Sequence, residues 1–239
     1  MNLLEICAFN VQSCIVAERA GAKRAELCDN PVEGGTTPSY GTIKIARQKV
    51  SIDLYPIIRP RCGNYFYDAE EWAIIEHDIK VCKELDCDGI SIGVQHRDGT
   101  LDVERMKRIV EWAYPMGVTC NRIFDAVPDA EATLEQLIAC GVERVLTSGQ
   151  KSAAPLAIDM LTKLVQQANG RIIIMPGAGV RSSNIEALMQ TGATEFHTSA
   201  RKAVPNEVSY ANPDILDFGE PVVTEEEEVR KIVTLLSKV

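Results

Sequence analysis

Residues 2–28 read NLLEICAFNVQSCIVAERAGAKRAELC, and they contain the pattern that repeats through the rest of the chain. Two short apolar runs, 2–7 and 24–28, have the length of buried strands. The segment between them, 11–20, carries apolar residues at helical spacing. Two strands joined through a helix are typical of a parallel βαβ unit. The stretch therefore predicts a parallel sheet rather than hairpins.

The same alternation of strand and helix occurs eight times along the chain. The predicted strands are 2–7, 24–28, 52–58, 89–94, 118–122, 144–147, 171–175 and 195–197. The predicted helices are 11–20, 40–48, 69–85, 103–113, 130–140, 156–168, 183–191 and 225–236. Eight such units in about 250 residues match a (β/α)8 barrel, whereas an open doubly wound sheet usually has fewer strands. The predicted fold class is α/β, with a single (β/α)8 TIM-type barrel.

The 239 residues are predicted to form one domain, 1–239, because no linker or low-complexity segment divides them. The segment 201–223 follows the eighth strand, contains three prolines and is predicted to be a long irregular loop. A C-terminal helix is expected within 224–239. The sequence leaves open whether the loop covers a site or forms an oligomer contact.

The formal net charge of -9 and the pI near 5.0 create a field that repels phosphate groups. We therefore expect neither nucleic acid nor a membrane surface as a partner. No apolar segment approaches the roughly 20 residues that span a bilayer, and Glu5 interrupts the apolar stretch that a signal peptide needs. A cytoplasmic location is the expectation. In that reducing compartment the eight cysteines are predicted to be free thiols, and the absence of a Cys-x-x-Cys motif argues against a structural zinc site.

Polar side chains gather where the predicted strands end, which is the active face of a TIM barrel. Residues two apart on a strand share a face, so Glu5 with Cys7, and Glu26 with Cys28, are expected to point into the barrel mouth. Buried carboxylates are costly unless they are paired or bind something, so these two indicate a functional site. The candidate catalytic residues are Glu5, Glu26, Arg59, Arg122, Asp125 and His197.

Short loops near the same face predict an anion site. Residues 176–179 read PGAG just before a predicted helix, and the loops after strands seven and eight often bind phosphate in such barrels. The candidate anion-binding residues are Arg61, Gly177, Gly179 and Ser199. Ordinary tight turns explain this loop about equally well.

Three cysteines lie at the ends of predicted strands. Cys7 and Cys28 belong to neighbouring strands, about 5 Å apart, and two thiolates at that spacing suit Cu(I). Cys120, at the end of the fifth strand, is a third candidate ligand. The alternative is that these thiols are buried as small apolar groups.

Several motifs stand in a characteristic order. They are 4–7 (LEIC), 26–28 (ELC), 34–41 (GGTTPSYG), 58–61 (IRPR), 146–149 (LTSG), 176–179 (PGAG) and 196–201 (FHTSAR). Together they resemble the CutC-type copper homeostasis proteins, from the N-terminus to about residue 201. The resemblance implies a cytoplasmic TIM-type barrel, commonly oligomeric as a homodimer or homotetramer, that binds Cu(I) through cysteine.

The chain departs from the family pattern at Asn121, which stands where the family tends to have a histidine. An asparagine cannot act as a general base. Any proton transfer is therefore expected to use Glu5, Glu26, Asp125 or His197.

Two functional hypotheses follow from these observations. The first is a cytoplasmic copper homeostasis protein that binds Cu(I) through the cysteines of the barrel mouth. The second is a metal-free enzyme acting on a small anionic metabolite that bears a phosphate or carboxylate group. The structural alternative is a mouth in which Arg59 and Arg122 only neutralise Glu5 and Glu26.

Overall fold

The computed structural model describes residues 2–205, 210, 214 and 221–238. Its barrel strands are β1 (Leu3–Ala8), β2 (Arg24–Leu27), β3 (Asp53–Ile58), β4 (Gly89–Ile92), β5 (Gly117–Cys120), β6 (Arg144–Thr147), β7 (Ile173–Pro176) and β8 (Glu195–Thr198). Its α-helices are α1 (Val11–Arg19), α2 (Tyr40–Lys49), α3 (Ala69–Glu84), α4 (Val103–Ala113), α5 (Ala130–Cys140), α6 (Ile158–Ala168), α7 (Ile185–Met189) and α8 (Glu226–Leu236).

The eight strands form one parallel sheet in the order β7-β6-β5-β4-β3-β2-β1-β8. Ladders join neighbours in this order, with Cys7 opposite Glu26 between β1 and β2, and Glu5 opposite His197 between β1 and β8. β7 and β8 lie side by side, without a ladder between them in the described part of the chain. The sheet is a nearly closed barrel surrounded by helices, which confirms the predicted fold class.

Most predicted elements agree with the structure to within one or two residues at each end. The sixth helix differs because a short 3-10 helix, Ala154–Leu156, precedes α6 and contains a proline. The seventh helix is shorter than predicted, spanning only Ile185–Met189. These differences lie at helix ends and do not change the order of the strands.

The prediction that 201–223 is an irregular loop is wrong at both ends of that segment. Arg201–Ala203 forms strand β9 and Val222–Thr224 forms strand β10, and the two pair antiparallel. Residues 206–209, 211–213 and 215–220 lie outside the described residues, so the predicted role of this segment is untested.

Apolar residues fill the layer between the strands and the helices. Leu4, Ile6 and Leu27 are examples, each buried and facing outward from the barrel wall. The barrel interior is different, because charged side chains occupy positions that branched aliphatic residues usually fill. This arrangement follows from strand alternation, which turns every second side chain of β1 and β2 into the barrel.

Arg24 and Arg144 lie at the centre of a buried ion-pair network near the N-terminal ends of the strands. The Arg24 guanidinium donates to Glu5 and to Glu195. Arg144 Nε donates to the same Glu195 carboxylate at 3.1 Å. The ring of Tyr55 contacts both guanidinium groups, with centroid distances of 5.2 and 5.1 Å. The network connects β1, β2, β6 and β8 inside the barrel.

Candidate functional site at the barrel mouth

The two Glu-x-Cys segments place all four side chains inside the barrel. Glu5 is 1% exposed and Glu26 is 4% exposed. Cys28 is buried, whereas Cys7 is half-buried and lines the mouth. The predicted inward orientation of the acid and thiol pairs is therefore found in the structure.

Cys7, Glu26 and Cys28 form the one group of three side chains that could hold a metal ion within the described residues. Their ligand atoms all lie within 4.8 Å of one another. The two sulfur atoms are 3.8 Å apart, which is too far for a disulfide bond, and all eight cysteines are free. The prediction of free thiols is confirmed.

His197 connects this group to the ion-pair network below it. Its Nδ1 is hydrogen-bonded to Glu5 Oε1 at 2.7 Å, while the other Glu5 oxygen accepts from Arg24. The hydrogen bond fixes the ring orientation and leaves Nε2 facing Glu26 Oε2 at 3.7 Å. His197 is therefore a buried, oriented imidazole between two carboxyl groups.

The protonation states of this pair follow from burial and from charge. Burial alone would raise the pKa of Glu5, but the charge of Arg24 and the hydrogen bond with His197 outweigh it and lower the pKa to about 2. Burial would lower the pKa of His197, yet contacts with Cys7 and the two glutamates raise it well above its usual value. At neutral pH the pair is thus a carboxylate and an imidazolium.

The pKa values of the two thiols shift in opposite directions, and the pKa of Glu26 rises. The hydrogen bond from Cys28 lowers the pKa of Cys7 to about 5, against the opposing effect of burial. Burial raises the pKa of Cys28 well above its usual value. Burial, together with the charge on Cys7, raises the pKa of Glu26 to about 8. At neutral pH the mouth therefore presents one thiolate, one thiol and one neutral carboxyl group.

A cavity of about 400 Å³ opens above these residues at the C-terminal ends of the strands. Four arginines line it, against two glutamates. They are Arg59, Arg122, Arg181 and Arg201, against Glu26 and Glu33. In a chain of net charge -9, this local excess of cations makes the cavity attractive to anions.

Arg59 is buried and forms no salt bridge among residues 2–205 and 221–238. Its guanidinium donates to the backbone oxygens of Glu33, Gly35 and Gly63 at 2.7–2.8 Å, and its Nε has no partner in the described part of the chain. The structural alternative in which Arg59 neutralises Glu5 is not found, because Arg24 pairs with that carboxylate.

Asp125 is not positioned as a free general base. It accepts hydrogen bonds from Thr147 Oγ1 at 2.6 Å, from the Ser148 hydroxyl and amide, and from the Gln150 amide. It also pairs with Arg122 Nε at 2.8 Å. Because the Asp125 carboxylate already accepts these hydrogen bonds, it links the loop after β5 to the loop after β6 and holds Arg122 at the cavity rim.

The candidate anion-binding residues separate into two groups. Gly179 and Ser199 line the cavity. Arg61 does not, because its guanidinium binds Glu71 at 2.5 Å and several backbone oxygens of its own loop. Gly177 also lies outside the lining, packed so that an added Cβ would meet Leu146 at 2.4 Å.

Cys120 is not brought into the metal-ligand group. It is fully buried in the apolar layer outside the barrel, because Thr119 and Asn121 occupy the inward positions on either side of it. Only Cys7 and Cys28 of the three candidate thiols therefore approach each other.

Asn121 lies at the cavity wall. Its Oδ1 accepts from the Ile123 amide at 3.1 Å, while its Nδ2 is buried and has no partner among the described residues. Three cations near the site were not predicted as site residues: Arg24 inside the barrel, and Arg181 and Arg201, which follow β7 and β8. Strand alternation could have found Arg24, since it precedes Glu26 by two residues.

Residues 2–202 match the model of the CutC family. This chain belongs to the CutC family. A CutC family protein from Parabacteroides distasonis is 48% identical over 229 residues, covering 95% of this chain and 94% of that protein. One from Chromobacterium violaceum is 47% identical over 210 residues, covering 87% of this chain and 85% of its own length.

Solved structures agree with this membership. A crystal structure from Streptococcus agalactiae, named as a copper homeostasis protein CutC, is 35% identical with a TM-score of 0.79, covering 83% of this chain and 99% of that one. A thiamine phosphate pyrophosphorylase from Pyrococcus furiosus, at 13% identity and a TM-score of 0.63 over 99% of this chain and 96% of its own, shares the fold alone. Among the described residues, none of the helices has the length and apolar character required to cross a membrane.

Proposed function

We propose that this chain binds Cu(I) at the barrel mouth through Cys7 and Cys28, as part of copper homeostasis. The observation that carries the proposal is the 3.8 Å separation of the two sulfur atoms beside the Glu26 carboxyl group. One ion can join both sulfurs, because two metal–sulfur bonds of ~2.3 Å span up to about 4.6 Å. Thiolate ligands favour soft cations such as Cu(I).

The two thiols differ in how they would enter such a complex. The lowered pKa of Cys7 makes it a thiolate at neutral pH, so it is available to a metal without losing a proton. The raised pKa of Cys28 means that this thiol gives up its proton only when metal binds. Binding of Cu(I) is thus expected to release protons and to strengthen as the pH rises.

A Cu(I) titration against a chromophoric chelator, without oxygen, tests this proposal. We expect one high-affinity ion per chain, and an affinity lower by at least about a hundredfold in Cys7→Ser and in Cys28→Ser. Cys62→Ser is the matched control, because Cys62 is a half-buried free thiol outside the ligand group. Unchanged affinity and stoichiometry in the double variant Cys7→Ser with Cys28→Ser would exclude these ligands.

A reducing compartment belongs to the same proposal, since Cu(I) and free thiols both require one. We therefore propose a cytoplasmic location. The homodimer or homotetramer implied by the family resemblance stays a prediction, which light scattering of the purified chain tests.

The second candidate function is an enzyme that acts on a small anionic metabolite. The observation that favours it is the electropositive cavity, in which Arg59 is buried without a carboxylate partner among residues 2–205 and 221–238. His197, held by Glu5, and the neutral Glu26 carboxyl group stand at the cavity as groups able to donate a proton. Anions would be held by the arginines, while the reacting part would lie near these two side chains.

Ligand-dependent thermal stabilisation tests the second candidate. Phosphate or a small carboxylate is expected to raise the melting temperature of the metal-free protein, and Arg59→Met is expected to reduce that shift. Arg171→Met is the control, because Arg171 pairs with Glu135 on the outer surface. Absence of stabilisation by any small oxyanion would contradict this function without affecting the copper proposal.

A further inference from the structure

Cys7 is the thiol of the mouth that a molecule in the cavity can reach. It is half-buried and lines the cavity, whereas Cys28, with its sulfur 3.8 Å away, is buried and does not line it. A cysteine alone does not make a catalytic site, so the groups in contact with this sulfur determine what it can do.

His197 contacts Cys7 and is held in one orientation by Glu5. The ladder between β1 and β8 places Glu5 opposite His197, and Cys7 follows two residues later on the same face of β1. Because Nδ1 of the ring is bound to Glu5 at 2.7 Å, Nε2 is left for the mouth. A thiol, an imidazole and a carboxylate in this order are the groups that activate a cysteine for attack on a carbonyl carbon.

Copper binding through sulfur does not account for this arrangement. The two sulfur atoms can hold the ion without the imidazole, and Arg24 already neutralises Glu5. His197 is nevertheless buried beside Cys7, with 7% of its surface exposed. The Glu26 carboxyl group lies within 4.8 Å of the same sulfur, and a neutral carboxyl group there can donate to the carbonyl oxygen of a bound acyl group. The cluster therefore has the groups of a nucleophilic site.

The charge of the cavity indicates which acyl compounds would reach Cys7. Arg122 and Arg181 line the same cavity as Cys7 and His197. The Arg122 side chain is 44% exposed, so its guanidinium is accessible. Cations at a concave site attract anionic molecules and raise their local concentration. An acyl compound with a phosphate or carboxylate group is therefore favoured over a neutral one.

We propose that Cys7 is the nucleophile of an acyl-transfer reaction on a small acyl compound that carries an anionic group, with His197, held by Glu5, as its general acid and base. The inference rests on the second candidate function, whose reaction and substrate class it specifies. It concerns the metal-free protein, because a Cu(I) ion bound to the same sulfur would block the attack.

The reaction has two steps and ends in hydrolysis. In the first, the Cys7 sulfur bonds to the carbonyl carbon, the bond from that carbon to the leaving group breaks, and the leaving group takes the proton that His197 holds. In the second, water attacks the thioester carbon and His197 takes a proton from the water. The carbon–sulfur bond then breaks, which releases the carboxylic acid and restores Cys7.

Alkylation of the metal-free, reduced protein tests the nucleophile and the charge preference. Iodoacetate and iodoacetamide carry the same reactive carbon, and mass spectrometry of peptides gives the rate at each cysteine. Cys62 is the control thiol within the same chain, because it is half-buried outside the cavity and contacts Glu33. Cys7 is expected to react at least about tenfold faster than Cys62, and to show at least about a tenfold higher ratio of iodoacetate to iodoacetamide rates.

Hydrolysis of p-nitrophenyl acetate tests the acyl transfer and the role of His197. The unmodified protein is expected to release a burst of one p-nitrophenolate per chain, to carry the acetyl group on Cys7, and then to turn over. His197→Asn keeps a donor for Glu5 in place of Nδ1 but removes Nε2, and is expected to slow both phases at least about a hundredfold. His77→Asn is the matched control, because His77 is exposed on α3, and Cys7→Ser is expected to remove the burst.

Three outcomes would overturn the inference. Alkylation of Cys7 no faster than that of Cys62 would remove the nucleophile, and equal preference for the two reagents would remove the anionic group from the substrate. Acetylation of Cys7 without turnover, or turnover that persists in His197→Asn with unchanged circular dichroism, would remove the acid and base. In each case, Arg59-dependent stabilisation by phosphate leaves the second candidate function standing, whereas absence of that stabilisation removes both.

Discussion

At the scale of single residues, Glu26 shows most clearly that the mouth is not optimised for stability. It is buried, its nearest basic atom is His197 Nε2 at 3.7 Å, and burial raises its pKa to about 8. A carboxyl group kept neutral in this way is typical of functional sites, where burial is maintained for chemistry. The effect of this burial on the stability of the fold can be measured.

Glu26→Gln is expected to stabilise the fold above about pH 6. The folded-state pKa lies above the ordinary value of 4.5, so between the two values the unfolded chain binds fewer protons. Stability of the unmodified protein therefore falls as the pH rises from 4.5 to about 8, and a neutral glutamine removes that loss. The expected gain is on the order of 1–3 kcal/mol in the free energy of unfolding at pH 8, from urea denaturation.

The same pair of proteins should differ little at about pH 5, where Glu26 is protonated in the folded chain. A variant that is less stable than the unmodified protein at pH 8, or a difference independent of pH, would contradict the assigned protonation state.

Residue patterns predicted the inward acids and thiols but not their partners. The two-residue spacing of Glu5 and Cys7 fixes a shared face, and the structure has them on it. Which cation reaches Glu5 depends on the stagger between strands, and Arg24 on the adjacent strand is nearer than Arg59. No local sequence pattern indicates the stagger between neighbouring strands.

At the scale of elements, two glycines on neighbouring strands make room for one aromatic ring. A Cβ on Gly89 of β4 would lie 2.0 Å from the Tyr55 ring, and one on Gly117 of β5 would lie 2.4 Å from its hydroxyl. Neither glycine has a positive φ, so close approach of side chains is what requires them: Tyr55 at Gly89, and both Glu143 and Tyr55 at Gly117. The ring in turn contacts the guanidinium groups of both Arg24 and Arg144.

Gly89→Ala is expected to destabilise the protein by about 1–3 kcal/mol, because the buried Tyr55 ring, in contact with two guanidinium groups, has little room to move away from the added methyl group. The measurement is the urea midpoint at constant m-value. Gly41→Ala is the control, since Gly41 lies in α2 with only the Ser39 hydroxyl near its added Cβ, at 3.8 Å. That change should be neutral or slightly stabilising. Equal effects of the two substitutions would show that Tyr55 does not need the space.

Element boundaries were predictable where capping chemistry is explicit. Asp68 and Glu71 form a reciprocal capping box at the start of α3, near the predicted start at 69. The start of α6 was displaced because Pro155 favours a separate short turn before it. The β9–β10 pairing was missed because strands of three residues carry no measurable periodicity.

At the scale of the whole molecule, the ion-pair network replaces part of the usual apolar barrel core. Glu195 accepts from both Arg24 and Arg144, which links β8 to β2 and β6 across the interior. β7 and β8 share no ladder in the described residues, so this network contributes to closure of the barrel. Removing one partner of a buried ion pair is costly, because the remaining charge is left buried without a partner.

Arg24→Met is expected to lower the free energy of unfolding by about 3–5 kcal/mol, since it leaves Glu5 and Glu195 short of a buried cation. Arg171→Met breaks a half-exposed pair with Glu135 and should cost less than about 1 kcal/mol. Urea denaturation at neutral pH measures both. Similar costs for the two variants would contradict a structural role for the network.

The fold of the whole chain followed from the eightfold alternation, because a parallel sheet of this size closes into a barrel in few ways. Only part of the candidate site could be predicted from the sequence. Cys120 was predicted to join Cys7 and Cys28, but the face of a strand that looks inward depends on register, and a one-residue difference reverses it.

The proposed copper site consists of Cys7 and Cys28, which together hold Cu(I) inside the barrel mouth. The decisive measurement is X-ray absorption at the copper edge of the Cu(I)-loaded protein. We expect two sulfur neighbours for each copper ion in the unmodified protein, and their loss in the double variant Cys7→Ser with Cys28→Ser. A copper ion surrounded only by nitrogen and oxygen, or a spectrum unchanged in the double variant, would contradict it.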